Sequence, residues 1–172
     1  VGYMFASGVI FGALFAYISS SEQIFNDIFK TPETFVYWFA CIAGAMSIAN
    51  FTNSRIVEKL GQRMISHIAI IGFTSISMIL LVVTMIFGPN LYVFMGLFCL
   101  IFMNFGFMGP NFNSMAMEPL GRIAGTASAL LGFASTTMAA AIGGLIAHQY
   151  NGTLTPVLLG YVGLGSVTLL IV

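Results

Sequence analysis

The sequence predicts an all-α integral membrane protein with six transmembrane helices. Two observations carry this. Hydrophobic residues make up 59% of the chain and charged residues 6%, against about 25% charged in an ordinary soluble domain. The ten Asp, Glu, Lys and Arg residues are also confined to short segments. They leave four charge-free stretches, Val1–Ser21, Thr34–Ser54, Met64–Met117 and Ile123–Val172, each long enough for the roughly 20 residues that a bilayer-spanning helix needs. The runs are unbroken, whereas barrel strands alternate in polarity over about 10 residues.

The two longer stretches each hold two spans. Gly88-Pro89-Asn90 interrupts the first; Tyr150-Asn151-Gly152, with Pro156 beyond, interrupts the second. Glycine and proline ahead of a fresh apolar run act as punctuation. The expected spans are 1–20, 35–53, 64–87, 91–112, 123–147 and 156–172 in one bundle covering 1–172. The chain reads as a fragment, because it starts at Val1 without methionine and stops at Val172 inside an apolar run. Its start has neither the basic region nor the cleavage site of a signal peptide.

Lysine and arginine set the orientation. Arg55, Lys59 and Arg63 lie in the 54–63 loop and Arg122 in the 113–122 loop, on one side if six spans are correct. The other side has Lys30 among Glu22, Asp27 and Glu33. The two basic loops and both chain ends are therefore expected in the cytoplasm. The zero formal net charge says nothing about an acidic or nucleic-acid partner, and no nucleic acid is expected.

Small residues suggest where helices pack. Ala124, Ser128 and Gly132 repeat every four residues, as do Gly125 and Ala129, a spacing that lets backbones approach closely in lipid. In the first span Gly8, Gly12, Ala16 and Ser19 share one face at 100° per residue and suit close contact. Tyr3, Ser7, Ile10, Leu14 and Tyr17 fall roughly opposite and suit a moderately polar cavity. In the fourth span Val93, Leu97, Leu100, Asn104, Phe107 and Asn111 share a face. An unpaired amide at the depth of Asn104 is costly, so that face is expected to turn inward, to a cavity or to another helix. Phe94, Phe98, Phe105 and Phe112 form an adjacent stripe, expected against lipid or neighbouring helices. Pro110 and Pro119 are expected to end or kink helices.

The 54–63 segment, Ser54-Arg55-Ile56-Val57-Glu58-Lys59-Leu60-Gly61-Gln62-Arg63, resembles the G-x-x-x-D-R-x-G-R-R loop signature of the major facilitator superfamily. Glu58, Lys59, Gly61 and Arg63 match the acid, the base, the turn glycine and the last base; Ser54 and Gln62 depart from it. Other segments are similar to bicyclomycin- and chloramphenicol-resistance-type drug/proton antiporters of that superfamily. Gly12–Ser19 resembles their seventh helix, Asn53–Gly61 the loop that follows the eighth, Gly109-Pro110-Asn111 and Met115–Pro119 the end of the tenth, and Arg122–Gly132 the start of the eleventh. They occur in family order and spacing along the chain.

The resemblance implies the C-terminal half of the major facilitator fold, helices seven to twelve, built as two inverted three-helix repeats. It also implies a drug-like small-molecule substrate, proton coupling, an N-terminal six-helix half as partner, the bacterial inner membrane as location and no cofactor. Tyr3, Ser7, Tyr17, Asn104, Phe107 and Asn111 become cavity candidates, because the seventh and tenth helices line the cavity in that superfamily. Arg55, Glu58, Lys59, Gly61 and Arg63 become a conformational-switch loop. Gly8, Gly12, Gly125, Ser128 and Gly132 remain helix-packing candidates. Substrate chemistry alone does not separate drug export from a metabolite permease of the same superfamily, or from a non-transporting helical bundle.

No Asp, Glu, Lys or Arg falls inside an expected span, so an intramembrane proton carrier is expected in the other half. His67 and His148 are expected at the interface. Cys41 and Cys99 are read as small apolar packing residues, neither a disulfide nor a metal pair. An intramembrane hydrolase fails on distance: Ser128 and His148, 20 residues apart on one helix, are about 30 Å apart at 1.5 Å per residue. P-loop, redox-cofactor, pore-loop and metal-site spacings are not found, so no enzyme is expected.

Overall fold

The computed structural model describes residues 2–172, leaving aside the side chains of 120–122 and with them the Arg122 charge. The described residues form six α-helices and no strand: α1 (Gly2–Gln23), α2 (Phe35–Leu60), α3 (Gln62–Phe87), α4 (Leu91–Met117), α5 (Ala124–His148) and α6 (Thr155–Ile171). This is the all-α architecture that the apolar runs predict. The first five helices are long and apolar enough to cross a bilayer, α1 and α2 together with the short turns at their outer ends; α6 is apolar but shorter.

Helix ends differ from the expected spans for one reason. Apolar runs mark bilayer depth, and a helix continues past it wherever helix-forming residues follow. α1 runs into a π-helical turn, Ile24–Ile28, which buries Ile24 and Phe25. α2 continues through Ser54 to Leu60, so the expected 54–63 loop is almost entirely helical. Its only non-helical residue is Gly61. With φ +79° and ψ 146°, Gly61 occupies backbone space that is essentially reserved for glycine. α4 likewise continues to Met117, with Pro110 inside it, and a 3₁₀ segment Glu118–Ile123 leads into α5. Before α4, the Asn90 side chain caps the helix by accepting from the amides of Tyr92 and Val93 at 3.1 and 3.2 Å.

α4 is the centre of the bundle. It packs extensively on α2 and α3, which touch each other only sparsely after diverging from Gly61. α3 also packs on α6, and α1 on α4, α5 and α6. The α2–α4 seam is parallel, because Cys41 lies opposite Cys99 and Asn53 opposite Asn111 with the same offset of 58 residues. Between these pairs Gly106 brings the backbones together: a Cβ there would sit 2.7 Å from the Met46 carbonyl oxygen and 2.9 Å from the Ala49 Cβ.

The two ends of the bundle are distinct. The start of α1 and the end of α6 meet at Gly2 and Ile171, on the same end as the Gly61 elbow. At the far end, Tyr150 beyond α5 donates to the Gln23 carbonyl and the Asp27 carboxylate, both at 3.4 Å. Burial, then the Asp27 charge, raises the pKa of its phenol. That end is filled by an aromatic cluster, with Phe94 and Phe98 stacked at 4.6 Å and Phe29 5.1 Å from Phe94. The stripe of Phe94, Phe98, Phe105 and Phe112 is buried, against helices and not lipid.

Candidate functional site

A cavity of about 400 Å³ lies between α1, α2, α4 and α5. Ser7, Phe11 and Leu14 line it from α1, Met46 and Asn50 from α2, Phe105, Gly106, Gly109, Pro110 and Asn113 from α4, and Leu131, Gly132, Ser135 and Thr136 from α5. These positions fall at the middle of each helix and in the half toward the Gly61 elbow. Among the described residues the lining is amide, hydroxyl and apolar, with no ionisable group. The Asn50 carbonyl oxygen Oδ1 is buried there without a hydrogen-bond partner. A buried unpaired acceptor carries a desolvation penalty of about 1–3 kcal/mol, which a donor on a bound molecule would relieve.

Of the six sequence-derived cavity candidates, Ser7 lines this cavity and the other five do not. Tyr17 is 3% exposed and held among Phe39, Phe98 and Phe102, with ring centroids 5.1–5.3 Å away. The helical projection puts it on the Ser7 side, but ten residues further along α1 that side faces α2 and α4 inside the aromatic cluster. Tyr3 packs its ring 6.0 Å from Phe112. Asn104 donates to the Leu100 carbonyl at 2.8 Å and faces Gly72 of α3, where a Cβ would lie 2.5 Å from its Oδ1. Asn111 is buried at 3% exposure and pairs with Asn53. Phe107, half-buried, packs on the core and gives its carbonyl to Asn111. Asn104 and Asn111 share a stripe yet meet different helices, because α4 lies between α3 and α2.

The packing candidates divide in a similar way. Gly8 faces the Met138 side chain and Gly12 faces Ile142, 2.8 Å from the position of a Cβ. The reciprocal close approach on α5 is at Gly143, where a Cβ would stand 2.7 Å from the Ala16 amide nitrogen. At Gly125 and Gly132 a Cβ would meet nothing within 4 Å, and Ser128 is exposed. Within this chain the face of α5 that carries Gly125, Ser128 and Gly132 is therefore open, while Ala127 between them is buried. Sequence spacing alone does not distinguish the packed end of α5 from the open one.

The residues of the signature segment cluster at the elbow. Arg55, Glu58, Lys59 and Arg63 are exposed, and the Arg55 guanidinium lies 5.1 Å from the Phe51 ring centroid. Glu58 occupies the last turn of α2, not a helix N-terminus, so the helix dipole opposes its charge. Gln62 donates to the Ser114 hydroxyl at 3.0 Å, tying the elbow to the end of α4. His67 and His148 are exposed, His67 beside the Arg63 carbonyl at 2.8 Å. All five carboxylates, Glu22, Asp27, Glu33, Glu58 and Glu118, are exposed near helix ends.

Known proteins match along most of the chain. It is 31% identical over 165 residues, 92% of its length, to a bicyclomycin resistance protein homolog of Haemophilus influenzae, of which it covers 40%. It is 31% identical over 133 residues, 77% of its length, to the uncharacterised MFS-type transporter YdgK of Bacillus subtilis, of which it covers 33%. The chain thus spans less than half the length of these curated relatives. No family model matches it, and no solved structure does. Both relatives align along most of the chain, one of them is named as an MFS-type transporter, and the six apolar helices are consistent with a C-terminal part of a major facilitator superfamily protein.

Proposed function

We propose that this bundle is the C-terminal six-helix half of a secondary transporter. It exports drugs or similar small molecules across the bacterial inner membrane by proton-coupled alternating access, with both ends of the segment in the cytoplasm. The observation that carries this reading is the mid-helix cavity, whose lining is neutral and whose Asn50 acceptor lacks a partner. Secondary transporters bind near the bilayer midplane at the interface between repeats, and a site of amides, hydroxyls and phenylalanine suits an uncharged or weakly polar molecule with hydrogen-bond donors. The name of the Haemophilus relative supports the drug class.

The open start of α5, with Gly125, Ser128 and Gly132, suits an N-terminal half closing over the cavity, since small residues permit close helix contact in lipid. Carboxylates confined to exposed helix ends leave proton transfer to that other half. The elbow residues Arg55, Glu58, Lys59, Gly61 and Arg63 act as the conformational contact between halves.

The test is Asn50→Leu in the full-length transporter, assayed for efflux across a panel of substrates. Expected is a changed order of substrate preference at unchanged protein abundance, with donor-bearing substrates losing most. A uniform loss that tracks lower abundance would make Asn50 structural and remove the cavity argument.

A further inference from the structure

The two cysteines are 58 residues apart in sequence, and their sulfurs are 3.9 Å apart across the α2–α4 seam. Both are free thiols, Cys41 exposed and Cys99 half-buried. Cys41 is six residues past the start of α2 and Cys99 eight past the start of α4, about 9 and 12 Å into the bundle at 1.5 Å per residue. They share the register of the buried Asn53–Asn111 pair, and the Gly106 contact between the two pairs fixes that register. The thiols are thus held opposite each other by the seam itself. Next to them lies the Tyr17 ring, stacked on Phe39 at 5.2 Å and tilted against Phe98 at 5.3 Å. Its buried hydroxyl has no partner.

We propose that Cys41 and Cys99 form a two-thiolate site for a soft divalent d¹⁰ cation. Three arguments support it. At a metal–sulfur bond of about 2.3 Å, sulfurs 3.9 Å apart subtend about 116° at the metal, between the tetrahedral and trigonal angles. A disulfide would instead need the sulfurs at about 2.05 Å, a closure of about 1.9 Å between two packed helices. Charge balance is the second. Each thiol gives its proton to water, two sulfur–metal bonds form and nothing is oxidised or reduced. The dication and two thiolates are neutral together, so no net charge is left in apolar surroundings, where it would be costly. Room is the third, since one side of Cys41 is left uncovered by the helices of this chain, with space for the cation and its exogenous ligands.

This site is separate from the cavity. Cys41 and Asn50 are nine residues apart on α2, which at 100° per residue puts them on opposite sides of the helix. The proposal therefore does not depend on what the cavity transports.

The test is titration of the purified full-length transporter with Cd²⁺, following the ultraviolet thiolate-to-cadmium charge-transfer band. Cys41→Ser, Cys99→Ser and the double variant are compared with the parent. Each single variant is expected to lose the same one-cation increment that the double variant loses. An unchanged band in the double variant, or a band retained by either single variant, overturns the proposal. If a serine variant does not fold, Cd²⁺ protection of the parent from maleimide alkylation, read by mass spectrometry, decides the matter. Joint protection of Cys41 and Cys99 at one Cd²⁺ concentration supports the site. Protection of one alone, or of neither, sinks it.

Discussion

Asn53 on α2 and Asn111 on α4 exchange amide hydrogen bonds in both directions, at 3.2 and 3.0 Å. Both side chains are almost fully buried, and Asn111 also donates to the Phe107 carbonyl at 2.9 Å. The pair satisfies two amides that would otherwise be stranded in the bundle, and it does so only at one register of the two helices.

Replacing one partner should cost more than replacing both. Asn53→Leu leaves the Asn111 amide partly unpaired, and a stranded buried polar group costs about 1–3 kcal/mol. The double change to leucine removes both groups and should recover much of that loss. Thermal unfolding of the detergent-purified protein measures it; additive losses in the double variant would contradict the pairing.

Gly61 should not tolerate a side chain. Its φ of +79° with an extended ψ costs a non-glycine residue about 1–3 kcal/mol, and a β-branched one more. Gly61→Ala should lower the unfolding temperature and Gly61→Val should lower it further. Equal unfolding temperatures for all three proteins would remove backbone strain as the reason for glycine here.

Gly106 and Gly132 should respond in opposite ways to the same substitution. Leucine at 106 collides with the α2 backbone at Met46 and should abolish folded protein. Leucine at 132 enters space that is open within this chain, beside the cavity, so the six-helix bundle should fold normally while transport weakens, because the side chain stands where the other half closes. Size-exclusion profiles together with efflux separate the two outcomes.

Glu58→Gln should reduce transport without reducing stability. The carboxylate is exposed in the last turn of α2, where the helix dipole disfavours an anion. Neutralising it should leave the unfolding temperature equal or slightly higher. Transport at the wild-type rate would leave Glu58 without a part in switching.

The helices were legible because each is a charge-free run bounded by charge or by Gly, Pro and Asn. Their ends were less so, because Arg55, Glu58 and Lys59 break the apolar run yet form helix, and carry α2 on to Leu60. The cavity was legible in outline only. Cost reasoning applied to Asn104 holds equally for Asn50 and Asn53, amides inside the charge-free stretch Thr34–Ser54, and would have flagged both. Period alone could not say which neighbour a stripe meets. Tyr17 sits near the aromatic end of α1 and Ser7 near the cavity, although they share one side of the helix.

The elbow at Gly61 has a consequence for where foreign sequence can be added. Two 26-residue helices are joined there by one residue, and α4 keeps their far ends apart. Such a joint has no slack, so even a short insertion would free α2 from α3 and pull Gln62 off Ser114. The six residues at 149–154 between α5 and α6 are different. Asn151, Gly152 and Thr153 among them form an exposed turn in which the Asn151 side chain accepts from Thr153, and extra residues there can loop outward without moving either helix. Epitope tags and fusion partners placed in that turn should leave the bundle intact, while the same tags at the elbow should uncouple it.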